Sequence, residues 1–388
     1  MPEVVTPPRQ KPDIRAITRL VPPAGNLVQG QSDLTLDTEL AQAATAAITG
    51  GFNHYCPSEG VAPLRKAIAE KVAQFNGVSV SAEAQPLEIL VTHGGTGALV
   101  AIAKTYIKDG SILLFEPYYP YHRIITESLG GRAEIMPLSF PEQKIDAEEL
   151  RRTVRELKGR AQFPLKAIMI CTPSNPTGKV MSRAELELLA AVCQEFDLLA
   201  IADEVYEHYV VGDRRHISMA TLPGMWERTI TVNSFSKSWN VSGWRQGYVY
   251  GCGKLIAPLN LVTNINYVNT ATPLQHALAA CINAIPGRYD RLRDKFLDKR
   301  ALVAPTLTEL GFEIYESGSA FYLWTKIPAP HKDAVAYNQM LMEKAKVGAV
   351  PGAAFSDRDV WDNYMRFCIA RENHILEGSM ERMRKTLK

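Results

Sequence analysis

The 388-residue chain has no surplus of either charge: 43 lysines and arginines stand against 41 aspartates and glutamates, for a net +2. That balance gives no reason to expect nucleic acid or a membrane surface as a partner. No apolar run approaches the roughly 18 residues needed to span a bilayer. The six cysteines (Cys56, Cys171, Cys193, Cys252, Cys281, Cys368) form no CxxC pair. They are expected as free thiols in a reducing compartment, not as a zinc site or a disulfide frame. The opening Met1-Pro2-Glu3-Val4-Val5-Thr6-Pro7-Pro8 lacks the charged and apolar regions of a signal peptide. A flexible start to a cytoplasmic protein is expected. No internal repeat or low-complexity tract breaks the chain.

What is present suits a large core. Hydrophobic residues make up 46%, and the length fits two domains or one large domain with a smaller partner. A helical pattern runs from about Leu34 to Ile48 and stops at Gly50-Gly51. Pro63 opens an amphipathic helix with Leu64, Ala67, Ile68, Val72 and Phe75 on one face, and Gly77 is its expected stop. From residue 87 short apolar runs alternate with helices. Leu87–Val91, Ile112–Phe115, Ala167–Cys171, Leu198–Ala202 and Thr229–Val232 read as strands. Ser182 and Glu185 have capping-box spacing before a helix. This alternation predicts an α/β fold with a mostly parallel sheet covered on both faces. After Pro286 comes a charged helix, Arg288 to Arg300. Gly311–Tyr315 and Phe321–Trp324 follow as strands of a smaller domain, and a helix around Met380 to Leu387 closes the chain.

In such sheets, ligands bind outside the carboxyl ends of the strands. Each of those ends carries a distinctive set here. The first is followed by Gly94-Gly95-Thr96-Gly97 and a helix, where backbone N–H groups can meet a phosphate. A tight loop would look the same. The second ends in Glu116-Pro117-Tyr118-Tyr119-Pro120-Tyr121, whose aromatics suit either a flat ring or core packing. The third ends in Ser174-Asn175-Pro176-Thr177-Gly178, an amide within turn chemistry. The fourth ends in Asp203-Glu204-Val205-Tyr206. An unpartnered carboxylate directly after an apolar strand is costly, so a cationic partner is expected there. The last leads into Ser234-Phe235-Ser236-Lys237-Ser238, with Arg245 eight residues beyond Lys237. Two hydroxyls and an arginine suit a phosphate dianion, and a lysine amine condenses with an aldehyde. A lysine nucleophile beside a phosphate cradle suggests pyridoxal phosphate. Asp203 would then meet the protonated ring nitrogen.

Together these positions make the chain resemble the fold type I pyridoxal-phosphate enzymes, and among them the class I/II aminotransferases. The resemblance runs from about Asn26 to Arg371, with five motifs in family order. It implies a large domain with a seven-stranded-type sheet and a smaller α+β domain built from both chain ends. The expected boundaries are 1–49 for the N-terminal arm and part of the small domain, 50–290 for the large domain and 291–388 for the small one. It also implies that Lys237 forms the Schiff base and that Asp203 pairs with the pyridine nitrogen. Asn175 and Tyr206 would contact the ring hydroxyl, and Tyr119 would stack on the ring. Gly95, Thr96, Ser234, Ser236 and Arg245 would hold the phosphate. Tyr55, in Tyr55-Cys56-Pro57-Ser58-Glu59-Gly60, matches a tyrosine reaching into the partner subunit's site. Thr270 is a candidate for a second contact of that kind. Arg366 matches the arginine that binds the substrate α-carboxylate, and Gly30 a backbone amide that meets the same group.

The resemblance therefore implies a cytoplasmic homodimer with shared active sites. It would move an amino group between an L-amino acid and a 2-oxo acid through pyridoxamine phosphate. A lyase or synthase on the same scaffold is the alternative. A transcription regulator's sensor domain would need an attached DNA-binding domain, for which the some 25 residues ahead of the matching region are too few. Some relatives read a dicarboxylate with an arginine in the stretch that corresponds to Asn264–Leu274. This stretch has no arginine or lysine, which favours neutral or aromatic side chains over aspartate.

Overall fold

The computed structural model describes residues 11–315 and 319–388. The Pro-rich start expected as a flexible lead-in, residues 1–8, lies outside them. The chain forms two compact units. One runs Gln31–Lys295; the other draws on the described residues up to Gly30, on the chain from Phe296, and on Phe321–Lys388.

The first unit holds a seven-stranded sheet. Its strands are β1 (Ile89–His93), β2 (Ser111–Glu116), β3 (Arg132–Pro137), β4 (Leu165–Cys171), β5 (Leu199–Asp203), β6 (Thr229–Ser234) and β7 (Gln246–Tyr250). They lie in the order β1-β7-β6-β5-β4-β2-β3. The run from β6 to β3 is parallel, and β7 is antiparallel to both of its neighbours. Alternate residues serve opposite layers, as the pleat requires. Leu113, Ile168 and Ile170 pack with Leu150, Leu186 and Leu189 on one side. Ile112, Ala167 and Met169 pack with Leu99, Ile102, Ile256 and Leu259 on the other. Covering both faces is what the near-continuous apolar runs required, and the expected mostly parallel fold is observed.

Local signals behave as read, with shifts at the ends. Ser182 Oγ accepts from Glu185 N at 3.2 Å while Glu185 Oε2 accepts from Ser182 N at 2.9 Å, closing the capping box. Pro63 sits in the first turn of Ala62–Lys71, and Gly77 ends the next helical stretch at φ +70. The helix expected from Leu34 starts only at Thr38. Asp37 precedes it without capping, because its carboxylate is engaged by Arg288 at 2.6 Å.

The second unit has a four-stranded antiparallel sheet of β8 (Glu313–Ile314), β9 (Tyr322–Lys326), β10 (Val350–Pro351) and β11 (Tyr364–Cys368), ordered β10-β11-β9-β8. Trp324, Phe355, Trp361 and Tyr364 pack together at its core with Val21 and Val28. The terminal helix, Asn373–Leu387, begins earlier than its sequence suggested. Among the described residues, no helix is long and apolar enough to cross a membrane.

Candidate active site

Because β1, β2, β4, β5 and β6 point the same way, their last residues share one edge of the sheet. The reversed β7 brings its first residues to that edge instead. His93, ending β1, pairs with Gln246, starting β7. Arg245 therefore arrives beside Gly94 by preceding a strand, while the other site residues follow theirs. Gly94 has φ +66, a conformation that favours glycine, and a Cβ there would lie 2.5 Å from Arg245 Nη2, so the guanidinium comes right up to this turn.

This corner has the chemistry of an anion cradle. The helix Gly94–Ile102 starts here, with Gly95 and Thr96 in its first turn. Its leading N–H groups lack intrahelical acceptors. A Cβ on Gly95 would come within 3.9 Å of Ser234 Cβ. Ser234 Oγ lies 2.9 Å from Ser236 Oγ and accepts from Ser236 N at 3.2 Å. Arg245 adopts the left-handed region at φ 53 and donates through Nη1 to Ser242 O at 2.8 Å. Two hydroxyls, a guanidinium and a helix N-terminus fit a phosphate dianion.

Lys237 sits on the single turn Phe235–Ser238 that follows β6. It is half-buried, and its Nζ lies 5.9 Å from the centre of the Tyr206 ring. Asp203, at the end of β5, is 5% exposed. His122 Nε2 is 2.8 Å from Asp203 Oδ2, and Val205 N donates to Oδ1 at 3.4 Å. His122 rides the first turn of the helix Pro120–Ser128, with Tyr119 just before it. Its ring meets Tyr119 edge-on at 5.3 Å. Tyr119, His122, Cys171 and Asn175 line one pocket. Burial, and then the charge of Asp203, push the Cys171 thiol well above its usual range. That cysteine stays protonated and is no nucleophile.

Beneath this edge lies a buried polar network. Glu207, one residue after Tyr206, binds the ammonium of Lys71, Asn76 Nδ2 at 2.6 Å and Asn233 Nδ2 at 2.6 Å. Asn233 Oδ1 in turn accepts from Ser234 N at 2.8 Å. The ion pair thus supports the serine of the anion cradle through one intervening side chain. Glu204, Glu207 and His216 also approach one another closely. Their oxygens are already engaged, Glu204 by His216, Ser218 and Met219 N.

Tyr55 is 86% exposed. Thr270 is buried against its own chain, donating to Gln246 Oε1 at 2.7 Å and accepting from Gln275 Nε2 at 3.0 Å. Arg366 belongs to β11 of the second unit, where it donates to Val28 O at 2.7 Å and its guanidinium lies 4.3 Å from the Tyr322 ring centre. Gly30 belongs to the same unit, and a Cβ there would collide with the Tyr322 hydroxyl.

Sequence reasoning missed His122, Lys71, Glu207 and Asn233. For His122 there was a signal. Pro120 marks a helix start, and a histidine in a first turn at the carboxyl edge of the sheet is well placed to meet a carboxylate. The others gave none, since Lys71 and Glu207 are 136 positions apart.

The family model for aminotransferase class I and II matches residues 24–377. The chain is 34% identical to a Mycobacterium tuberculosis protein named "Probable N-succinyldiaminopimelate aminotransferase DapC", over 93% of this chain and 91% of that one. It is 33% identical to the aspartate aminotransferase of Pyrococcus abyssi, over 92% and 90%. The solved N-succinyldiaminopimelate aminotransferase of Mycobacterium tuberculosis superposes with a TM-score of 0.89 at 33% identity, covering 95% and 96%. The chain thus belongs to the class I and II aminotransferases, and it is a transaminase that works with pyridoxal 5′-phosphate.

Proposed function

We propose that Lys237 is the nucleophile and proton carrier of an amino-group transfer between an L-amino acid and a 2-oxo acid. The carrying observation is the meeting of three unlike groups at one sheet edge. These are a half-buried lysine, a serine–serine–arginine cradle at a helix N-terminus, and a buried aspartate oriented by a histidine. Bound pyridoxal phosphate supplies an aldehyde that condenses with amines and a ring that withdraws electrons from Cα. Gly95, Thr96, Ser234, Ser236 and Arg245 hold its phosphate. Asp203 favours a protonated ring nitrogen by its negative charge. Asn175 and Tyr206 donate to the ring hydroxyl, and Tyr119 covers the ring face. Lys237 Nζ would take the Cα proton of the amino donor and give it up again before the 2-oxo acid is released by water. Arg366 and the Gly30 amide bind the α-carboxylate, a task for which a planar guanidinium suits better than an ammonium.

The absence of arginine and lysine from Asn264–Leu274 supports donors with neutral or aromatic side chains. The exposure of Tyr55, with Leu261 and Ile265 one helical turn apart and also exposed, supports a homodimer with shared sites. The absence of a disulfide among the described cysteines supports a cytoplasmic location.

The test is a panel of L-amino donors with 2-oxoglutarate and pyruvate as acceptors, run on wild type and Lys237→Ala. Wild type should convert neutral or aromatic donors and yield one new amino acid per oxo acid formed. Lys237→Ala should lose both turnover and the visible absorbance of the loaded protein. Near-normal turnover in that variant would remove Lys237 from its role. Ammonia release without an acceptor would point to a lyase.

A further inference from the structure

The helix that carries Lys237 has only four residues, Phe235–Ser238. So short a helix cannot satisfy its own last carbonyls. Two side chains from distant parts of the unit do so. Tyr209 Oη donates to the carbonyl of Lys237 itself at 2.7 Å. Arg288 Nη1 donates to the next carbonyl, that of Ser238.

Both donors are fixed before they reach the turn. Tyr209 is buried, and its backbone N–H donates to Tyr206 O at 2.9 Å, so the chain leaving β5 sets its place. Arg288 is held by Asp37 Oδ2 at 2.6 Å. Its guanidinium carbon lies 3.6 Å from the ring centre of Trp239, whose backbone N–H closes the turn on Phe235 O at 2.9 Å. A cation at the carbonyl end of a helix is also favourable electrostatically.

We infer that Tyr209 and Arg288 are positioning residues that clamp the Lys237 turn and thereby set where its ε-amine can reach. A lysine side chain swings on four bonds from one Cα. Two bonds to adjacent carbonyls fix that Cα in both position and tilt. The catalytic consequence rests on the proposed role of Lys237; the clamp itself does not.

The test uses the full-length protein with Tyr209→Phe, which removes one hydroxyl, and Arg288→Lys. In the cofactor-free protein, amide exchange at Trp239 should accelerate about tenfold, while the helix Ala147–Lys158 keeps its wild-type rate. In the loaded enzyme, kcat should fall about ten- to a hundredfold, as misplacement of a reacting group does, with KM for the amino donor within about twofold. The double variant should lose less than the product of the single losses, because both act on one turn. Unchanged exchange overturns the clamp. Faster exchange or a lower melting temperature with unchanged kcat overturns the positioning role. If Arg288→Lys does not fold, Tyr209→Phe decides alone. If wild type shows no turnover dependent on Lys237, the functional reading fails, and the exchange measurement still judges the clamp.

Discussion

His122 Nε2 lies 2.8 Å from Asp203 Oδ2, with both side chains buried. The histidine fixes one carboxylate oxygen, leaving the group aimed in a single direction. His122→Phe keeps the ring volume and removes the partner. Cofactor affinity or kcat/KM should then fall about 10- to 100-fold, the usual cost of losing an orienting partner. Equilibrium dialysis against pyridoxal phosphate and steady-state rates check this. Wild-type values in both would leave His122 a packing residue.

The Lys71–Glu207 pair is buried on both sides. Removing one partner strands a charge. Lys71→Met should therefore destabilise the protein by about 3–5 kcal/mol, read as a lower urea midpoint. A loss within about 0.5 kcal/mol, the range of an ordinary surface change, would mean the pair is not holding this edge.

Acid should act through the same pair. Burial works against ionisation of Glu207, but the Lys71 ammonium outweighs it, helped by His208 and His216, and the carboxyl is held down to about 2. Its folded value lies below the unfolded value of about 4.3. Its contribution is thus complete above about pH 5 and is lost as pH falls toward 2. Unfolding free energy measured by urea at each pH should drop between about pH 5 and pH 3 in wild type, and less steeply in Glu207→Gln. Parallel curves would contradict the assignment.

Shared active sites predict complementation. Tyr55→Phe and Lys237→Ala homodimers should each be nearly inactive. After subunit exchange, each heterodimer has one site with both defects and one with neither, so activity should return. Verified heterodimers as inactive as the parents would mean that Tyr55 serves its own subunit.

Much of the large sheet was readable because parallel strands buried on both faces are nearly all apolar, and β2, β4 and β5 announce themselves, while β6 shows through its alternating β-branched residues. Asp203 and Lys237 stand where those runs stop, which is where such sheets carry chemistry. β3 escaped notice because it is an edge strand whose Arg132 and Glu134 pair at 2.8 Å, breaking the apolar run. Arg245 was found by its spacing from Lys237, but not why it arrives there. That depends on the reversal of β7, which only the pairing reveals. Tyr209 and Arg288 were illegible because the groups they clamp are backbone carbonyls, which leave no mark in the residue pattern.

The strand order also sets a schedule for synthesis. β1 pairs only with β7, Ile89 opposite Tyr250, although β1 is made first. On the ribosome, an apolar strand must wait for its partner on the order of ten seconds or more. During that interval the backbone groups that β1 will offer to β7 lack their native partners. The nascent chain is therefore most open to aggregation, and to chaperone capture, until Tyr250 emerges.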